Sequence, residues 1–423
     1  MSFFLTDISL TAYFVAWLLL TSIFLWRKKH IGFGGVLLIT YTISAFTSII
    51  FNDATLFISG KVIKVDALVY LFVFSNIIML PVYIHSNELS NFEFKENGSK
   101  ELLKLFLIVS IPLSFEALLE TIVIAINTNV NTLGDIYESE VDLLGDKLSF
   151  IGRKTTSIVR WFTYLWPILF WYLLSPNNPY KKYAIGPLLA MLQLLLWAYA
   201  GAQRVAIVRY IFYIYIIYLL LKNNIDEKVR SKILLFGGSI VVCSIVLLFL
   251  ITISRFNNND LSINIWEWIS LYTGEGPMKF CENIWSNTVY QNGDNTISIF
   301  KEILGFDTFT DIDEKRDFYL MKGGAPTNIF YTMIGDFVYD FGLIVTGIVS
   351  IIIAILINMY FKYIIKRGYV TIASLFTLGL ILLSLEFGFM YFCFKQNNVQ
   401  HSLIYSIVFL LLYRLSNCSK IIL

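Results

Sequence analysis

Eleven long apolar runs leave this 423-residue chain little choice of fold. They cover approximately residues 8–26, 31–51, 65–84, 102–126, 158–175, 184–200, 205–221, 233–253, 343–363, 370–394 and 401–416. Roughly 20 helical residues cross the hydrocarbon of a bilayer. Inside it every backbone N–H and C=O must be satisfied within the protein, which restricts spans to helices and closed barrels. Runs of this length are helices. The reading is therefore an all-α polytopic integral membrane protein with about 11 transmembrane helices, 10 to 12 in range. Composition agrees: 57% of residues are hydrophobic and only 15% charged, which no soluble core of this size explains. The run at 184–221 is divided by Gly201-Ala202-Gln203-Arg204, read as a tight hairpin.

Orientation follows from lysine and arginine in the short loops. The first loop carries Arg27, Lys28 and Lys29, and the third Lys95 and Lys100, with Lys104 just inside the next span. The fifth has Lys181 and Lys182, and the seventh Lys222, Lys228, Arg230 and Lys232. The ninth has Lys366 and Arg367, with Lys362 at the end of the span before it. The odd-numbered loops are basic and so face the cytoplasm, with the N-terminus outside. Met1 to Asp7 contain no basic residue, so the first span reads as a retained helix rather than a cleaved signal peptide.

Two even-numbered, hence outer, loops are long. A medium one covers 127–157 and a large one 254–328. Loops beyond about 15 residues are usually functional or disordered. The large loop is rich in Trp and Tyr, including Trp266, Trp268, Tyr272 and Trp285, and holds two candidate amphipathic helices at 262–272 and 296–304. Residues 326–342 are apolar but short, a re-entrant or interfacial helix. Thr327 or Asn328 is its expected N-cap and Gly342 its break. Its N-terminal dipole suits an anion, or the stretch is a plain amphipathic connector.

Charges within the spans gather in their outer halves. Glu116, Glu120, Arg160, Arg209 and Glu386 lie there, with Arg153, Lys154, Arg204, Arg255, Lys395 and His401 near the outer surface. A charge in hydrocarbon costs about 2.5–3.5 kcal/mol on insertion scales and marks a polar cavity. The pattern points to an outward-facing site for something charged at the outer leaflet. Arginine's planar fork matches phosphate oxygens; the same residues also suit snorkelling to lipid headgroups. Glu116 and Glu120, at i and i+4, share a helix face. One reading makes either a general base; the other pairs them with Arg160 or Arg209. His401 is either a proton shuttle or a polar tip at the headgroups.

Cys243, Cys281, Cys393 and Cys418 show neither metal spacing nor a disulfide framework. There is no Gly-rich nucleotide loop, zinc spacing or Ser-His-Asp signature. The chemistry then draws its energy from the substrate itself. The net charge of +2 says little about partners in a chain this apolar; no nucleic-acid partner is expected.

Gly324-Ala325-Pro326-Thr327-Asn328-Ile329-Phe330, followed by Gly335, Asp340-Phe341-Gly342 and Gly347, resembles a region of the Wzy-type polymerases. These are the O-antigen and capsule repeat-unit polymerases of bacteria. Tyr272-Thr273-Gly274 and Ala200-Gly201-Ala202-Gln203-Arg204 are also similar to that family, as is the layout of many spans around one very large outer loop.

The resemblance implies a GT-C-like membrane glycosyltransferase of the bacterial cytoplasmic (inner) membrane, its active site facing the periplasm or outer side. The growing glycan on undecaprenyl pyrophosphate passes to the non-reducing end of an incoming lipid-linked repeat unit. Arg204, Arg209 and Arg255, supported by Arg153 and Arg160, then bind pyrophosphate and stabilise its departing charge. Glu116, Glu120, Asp340 and His401 are candidate bases. Tyr272, Trp266 and Asn328 are candidate glycan contacts. No metal or other cofactor is implied. Implied partners are the undecaprenyl-pyrophosphate-linked oligosaccharide, the bilayer, and a chain-length regulator and flippase of the same pathway. The alternatives are a lipid-linked oligosaccharide flippase, for which the inner halves of the spans are too free of charge, and an O-antigen ligase.

Overall fold

The computed structural model describes residues 2–29, 31–53, 63–89, 92–128, 142–176, 178–225, 227, 230–231, 265–309, 312–327 and 329–418. The span expected at 233–253, and with it Arg255 and Asn328, lies outside these residues, as do the side chains of Trp266 and Trp268. The described helices are α1 (Ser2–Lys28), α2 (Phe33–Asp53), α3 (Val65–His85), α4 (Lys100–Asn127), α5 (Asp142–Asp146), α6 (Phe150–Trp161), α7 (Trp166–Leu173) and α8 (Ile185–Ala200). There follow α9 (Arg204–Leu221), α10 (Ile265–Lys279), α11 (Ser298–Ile303), α12 (Ile312–Met321), α13 (Thr332–Arg367), α14 (Ile372–Glu386) and α15 (Asn397–Cys418). A two-residue parallel pairing, Glu93–Phe94 with Tyr369–Val370, is the strand content among the described residues.

Eight helices among the described residues are long and apolar enough to cross a membrane: Ile8–Lys28, Phe33–Asn52, Val65–His85, Lys100–Asn127, Lys181–Ala200, Arg204–Asn224, Thr332–Arg367 and Asn397–Ser416. The protein is an all-α, multi-pass membrane protein. Its helices are packed as lipid-facing helices are. On α13, Val345, Ile348, Ile352, Ile355, Leu356 and Met359 are exposed, while Thr346, Gly347 and Ser350 are buried. Lipid is as apolar as leucine, so small residues rather than large ones mark the helix contacts. A Cβ on Gly347 would meet the Phe74 ring at 3.0 Å. The Ser350 hydroxyl donates to the Thr346 carbonyl at 2.7 Å and so costs nothing in the apolar interior.

Two expected spans are interrupted. Residues 158–175 are not one helix: α6 ends at Trp161 and α7 begins at Trp166. Three features explain the break. Pro167 stands in the first turn of α7 and has no N–H to continue an earlier helix. The Thr163 hydroxyl takes the Arg160 carbonyl at 2.7 Å, and the Trp166 indole takes that of Val159 at 2.8 Å. The run at 370–394 is helical only over Ile372–Glu386, and residues 387–396 are non-helical.

The chain divides into two compact units. Unit 1 is Met1–Leu89, Ile263–Lys366 and Ser384–Gln400; unit 2 is Ser90–Ser262, Arg367–Leu383 and His401–Leu423. In unit 1, α2 packs between α1 and α10, and Trp17, fully buried, packs tilted against Tyr41 and edge-on to Phe72. In unit 2, α4 packs on α8 and α6. There Phe106, Phe162, Trp166 and Phe409 form a ring cluster, and the hydroxyls of Tyr172 and Tyr413 both donate to Glu96.

Candidate functional site

The candidate residues fall into two groups, one in each unit. In unit 1 the organising element is the first part of α13. Gly342, at φ 77° and ψ 169°, breaks that helix, a conformation that favours glycine. A Cβ there would also meet the Tyr290 ring at 3.1 Å. The capping hydroxyl at the other end is Thr332, not Thr327: its Oγ1 accepts from Gly335 N at 3.0 Å. Thr332 has φ 71°, an outlier for a β-branched residue. Its backbone is held there by two bonds, Thr332 N to the Met390 carbonyl at 3.0 Å and Met333 N to the Gly388 carbonyl at 2.7 Å. These are N–H groups at the start of a helix, which the helix itself cannot satisfy. Two broken helical segments thus complete each other's hydrogen bonding. They do so beside Tyr41, in the middle of α2: the Tyr41 hydroxyl donates to the Leu385 carbonyl, and Thr40 donates to Glu386 at 2.6 Å. Non-helical backbone is tolerated in spanning regions only where protein or a polar cavity satisfies it.

Asp336 and Asp340, four apart on this segment, are fully buried. Asp340 accepts from the backbone N–H groups of Asn295 and Thr296, at 3.2 and 2.7 Å, and from the Thr296 hydroxyl at 2.6 Å. Asp336 accepts from Asn295 Nδ2 at 3.0 Å, Phe392 N at 2.7 Å and Lys395 Nζ at 3.2 Å. Asp294 in turn accepts from Tyr319 and Lys301, and Lys315 donates to the Asp294 carbonyl at 2.8 Å. Burial lowers the Lys315 ammonium to about 8, against the pull of Asp340 and Asp294. Asp340, expected as a base, holds the 291–297 turn through these bonds. Tyr272 is half-buried on α10 with its ring 6.4 Å from Phe330. Sequence reasoning missed Asp294, Asn295, Lys301 and Lys315. Only the polar run Gly293-Asp294-Asn295-Thr296 inside an aromatic loop hinted at them.

In unit 2 the second group collects at one end of the α4–α6–α8 packing. Ser149 caps α6, accepting from Gly152 N at 3.0 Å. The Glu120 carboxylate accepts from the Ser149 hydroxyl and from Ser149 N, the latter at 3.2 Å. An acid beside a helix N-terminus is favoured by the helix dipole. A Cβ on Gly152 would lie 2.5 Å from the Glu120 carboxyl carbon, so a larger residue there displaces that side chain from the helix N-terminus. Beneath, Ile124, Leu144, Leu148, Trp197 and Ala200 form a buried cluster. Arg160 lies over Trp197, 5.5 Å from its ring. From Trp197 the chain reaches the hairpin: Ala202 N donates to Tyr199 O at 2.9 Å and Gln203 N to Ala198 O at 2.8 Å. This is a Schellman closure with Ala202, at φ 52°, where glycine is usual.

Arg204, 8% exposed, opens α9 directly after this turn. Arg209 is half-buried further along the helix. Arg153 is exposed and 3.5 Å from Asp146. His401 is half-buried one turn before Tyr405, whose ring stacks on Trp161 at 4.5 Å. Glu116 is half-buried on α4, a turn from Glu120. The structure therefore brings Arg160, Arg204, Glu120 and Arg153 to one end of this unit. Tyr272 and Asp340 belong to the other unit. Among the described residues no three His, Cys, Asp or Glu side chains converge as a metal-ligand set. No protein-family model, curated protein or solved structure matches the chain.

Proposed function

We propose that this protein polymerises lipid-linked oligosaccharide repeat units at the outer leaflet of the bacterial inner membrane, as a GT-C-like glycosyltransferase. The growing glycan passes from undecaprenyl pyrophosphate to the non-reducing end of an incoming lipid-linked unit. The anomeric C–O bond to pyrophosphate breaks and a glycosidic C–O bond forms. The acceptor hydroxyl's proton goes to a base, and undecaprenyl pyrophosphate leaves as an anion.

The observation that carries this reading is the burial of Arg204 at the first position of α9. A helix N-terminus repels a cation by about 0.3–1 kcal/mol, so the helix itself gives no reason for an arginine there. The guanidinium and the helix N-terminus would together attract a pyrophosphate brought to that end. Arg160, standing over Trp197 one turn before the hairpin, adds a second cation on that end. Of the four candidate bases, Glu120 accepts from Ser149 and Asp340 from Asn295 and Thr296; Glu116 and His401 are the other two.

The test is turnover of a synthetic undecaprenyl-pyrophosphate repeat unit by the purified protein in detergent with EDTA present. The expected result is a ladder of longer lipid-linked glycans, abolished in Arg204→Ala while elution and thermal midpoint hold. No ladder from intact substrate overturns the reading. Translocation in liposomes, or transfer to a lipid A core acceptor, then identifies a flippase or a ligase.

A further inference from the structure

We propose that unit 1 carries a carbohydrate subsite of its own, made by the rings of Tyr272, Phe330 and Tyr391 with Glu275 and Lys395 at their edge. The proposal rests on the reading above in taking a glycan as the ligand. It adds where in this unit a sugar ring is held.

Tyr272 and Glu275 are three apart on α10 and therefore share a face. That face meets the broken segments. A Cβ on Gly276, on the same side, would lie 2.7 Å from the Phe389 carbonyl oxygen and 3.0 Å from Thr332 Cγ2. The ring of Tyr272 stands 6.4 Å from Phe330, and Phe330 stands 5.3 Å from Tyr391. Lys395 Nζ lies 5.5 Å from the Tyr391 ring and 6.0 Å from that of Phe330. Glu275 feels the charge of both Lys279 and Lys395. Three stretches far apart in sequence thus bring three aromatic rings and two opposite charges together. Tyr272, Glu275, Phe330 and Lys395 keep partial exposure, and Tyr391 forms the buried floor. The frame is fixed, because Lys395 is tied to Asp336 at 3.2 Å and Asp336 to Phe392 N at 2.7 Å.

The mixture of groups selects the ligand. A lipid tail gains nothing from a carboxylate and an ammonium at its edge. A phosphate needs an excess of positive charge, which Lys395, already paired with Asp336 at 3.2 Å, does not supply. A sugar ring has an apolar C–H face for the aromatic rings and a rim of hydroxyls that both donate and accept. The carboxylate accepts from that rim and the ammonium donates to it. A few polar groups at the edge of an apolar, aromatic lining is the usual make-up of a small-molecule site.

The experiment uses the full-length protein in nanodiscs. It is titrated with chitotriose, maltotriose and trigalacturonic acid, read by saturation transfer to the sugar and by intrinsic fluorescence. At least one trisaccharide is expected to bind. Its Kd should rise tenfold or more in Tyr272→Ala and Phe330→Ala, and severalfold in Glu275→Gln, which keeps shape and packing. Phe300→Ala, at an exposed site elsewhere in the unit, should leave it unchanged. Binding of none of the three, or equal binding by all variants, overturns the subsite. Tyr272→Leu replaces any alanine variant with altered elution. Polymerisation is measured in parallel. Binding without a ladder removes the polymerase reading and keeps the subsite. A ladder with affinity unmoved by these substitutions does the reverse.

Discussion

Asp336 in unit 1 and Arg204 in unit 2 are both withdrawn from solvent, at 0% and 8% exposure, but in different company. Asp336 has an amide, a backbone N–H and an ammonium around it. Its neighbourhood balances Asp294, Asp336 and Asp340 against Lys301, Lys315 and Lys395. Buried charge there is neutralised within the fold, and the result is a frame for two broken helices. Arg204 instead stands at a helix N-terminus, with Arg160 on the same end of its unit. Two arginines therefore share that end, together with Glu120 and the exposed Arg153–Asp146 pair. The contrast teaches how to sort intramembrane charges, which are commonly taken for functional sites as a class. Asp336, whose three donors all come from distant parts of the fold, belongs to the scaffold, whereas Arg204 is the charge that the proposed function assigns to substrate.

The strongest way to break this contrast is Asp336→Ala. It strands Lys395, the Phe392 N–H and the Asn295 amide together. Removing one partner of a buried pair typically costs about 3–5 kcal/mol. The expected outcome is a large fall in thermal midpoint, or no folded protein on size-exclusion. Asp336→Asn, which can still accept two of the three bonds, should cost less. Tolerance of Asp336→Ala together with unfolding of Arg204→Ala would reverse the assignment of scaffold and site.

A middle-sized effect is expected at Glu120. Glu120→Ala leaves the Ser149 N–H and hydroxyl without their acceptor and loosens the residue that caps α6. Loss of such bonds costs about 1–2 kcal/mol. Hydrogen exchange at amides 150–153 should quicken before that of the rest of α6. Ser149→Ala should cost a similar amount, and the double variant less than the sum, since both remove one network. If Glu120 were the base instead, Glu120→Gln would abolish turnover while leaving exchange at α6 unchanged.

Much of the fold was legible in the sequence because hydrophobic length is a local property. The candidate spans at α1 to α4, α8, α9, α13 and α15 follow the apolar runs within a few residues, apart from the early start of α13. The failures are equally physical. The run at 158–175 is apolar throughout, but Thr163, Trp166 and Pro167 redirect its backbone. The run at 370–394 is helical only to Glu386, and beyond it the carbonyls of Gly388 and Met390 accept from Met333 and Thr332. No local signal carries that pairing across more than fifty residues. Likewise the presence of Asp340 was legible but its occupation was not. Its partners, Asn295 and Thr296, lie in a loop whose path only the folded chain sets. The grouping of Arg160 with Arg204 depended on Trp197, which composition alone does not single out.

Glu275 sharpens the contrast through pH. It stands on a helix outside the eight candidate spans, facing Lys279, Lys395 and Glu282. Burial raises its carboxyl from 4.5 to about 7, although the two lysines pull it down. The folded state therefore binds more protons than the unfolded state between those values. This contribution to stability is full below pH 4.5 and is lost as pH rises through 7. Glu275→Gln should remove it, giving a variant about 1 kcal/mol more stable than the wild type at pH 8, after allowance for partial solvent access. Thermal midpoints at pH 5 and pH 8 read the difference directly. An unchanged pH dependence would mean that Lys395 compensates Glu275 fully in the folded protein.

The smallest effect belongs to Arg153, which separates charge for structure from charge for substrate most cleanly. Its ion pair with Asp146 spans 3.5 Å, with side chains 52% and 76% exposed. Exposed pairs of this kind contribute about 0–1 kcal/mol and weaken with salt. Asp146→Asn should therefore leave the thermal midpoint within a degree or two and leave turnover unchanged. Arg153→Ala should be equally mild for stability. If Arg153 supports pyrophosphate binding beside Arg160, the same substitution should raise KM for the lipid-linked donor severalfold, an effect that shrinks with added salt. A KM unmoved by Arg153→Ala returns this residue to the membrane surface, and the anion site then rests on the more deeply placed arginines alone.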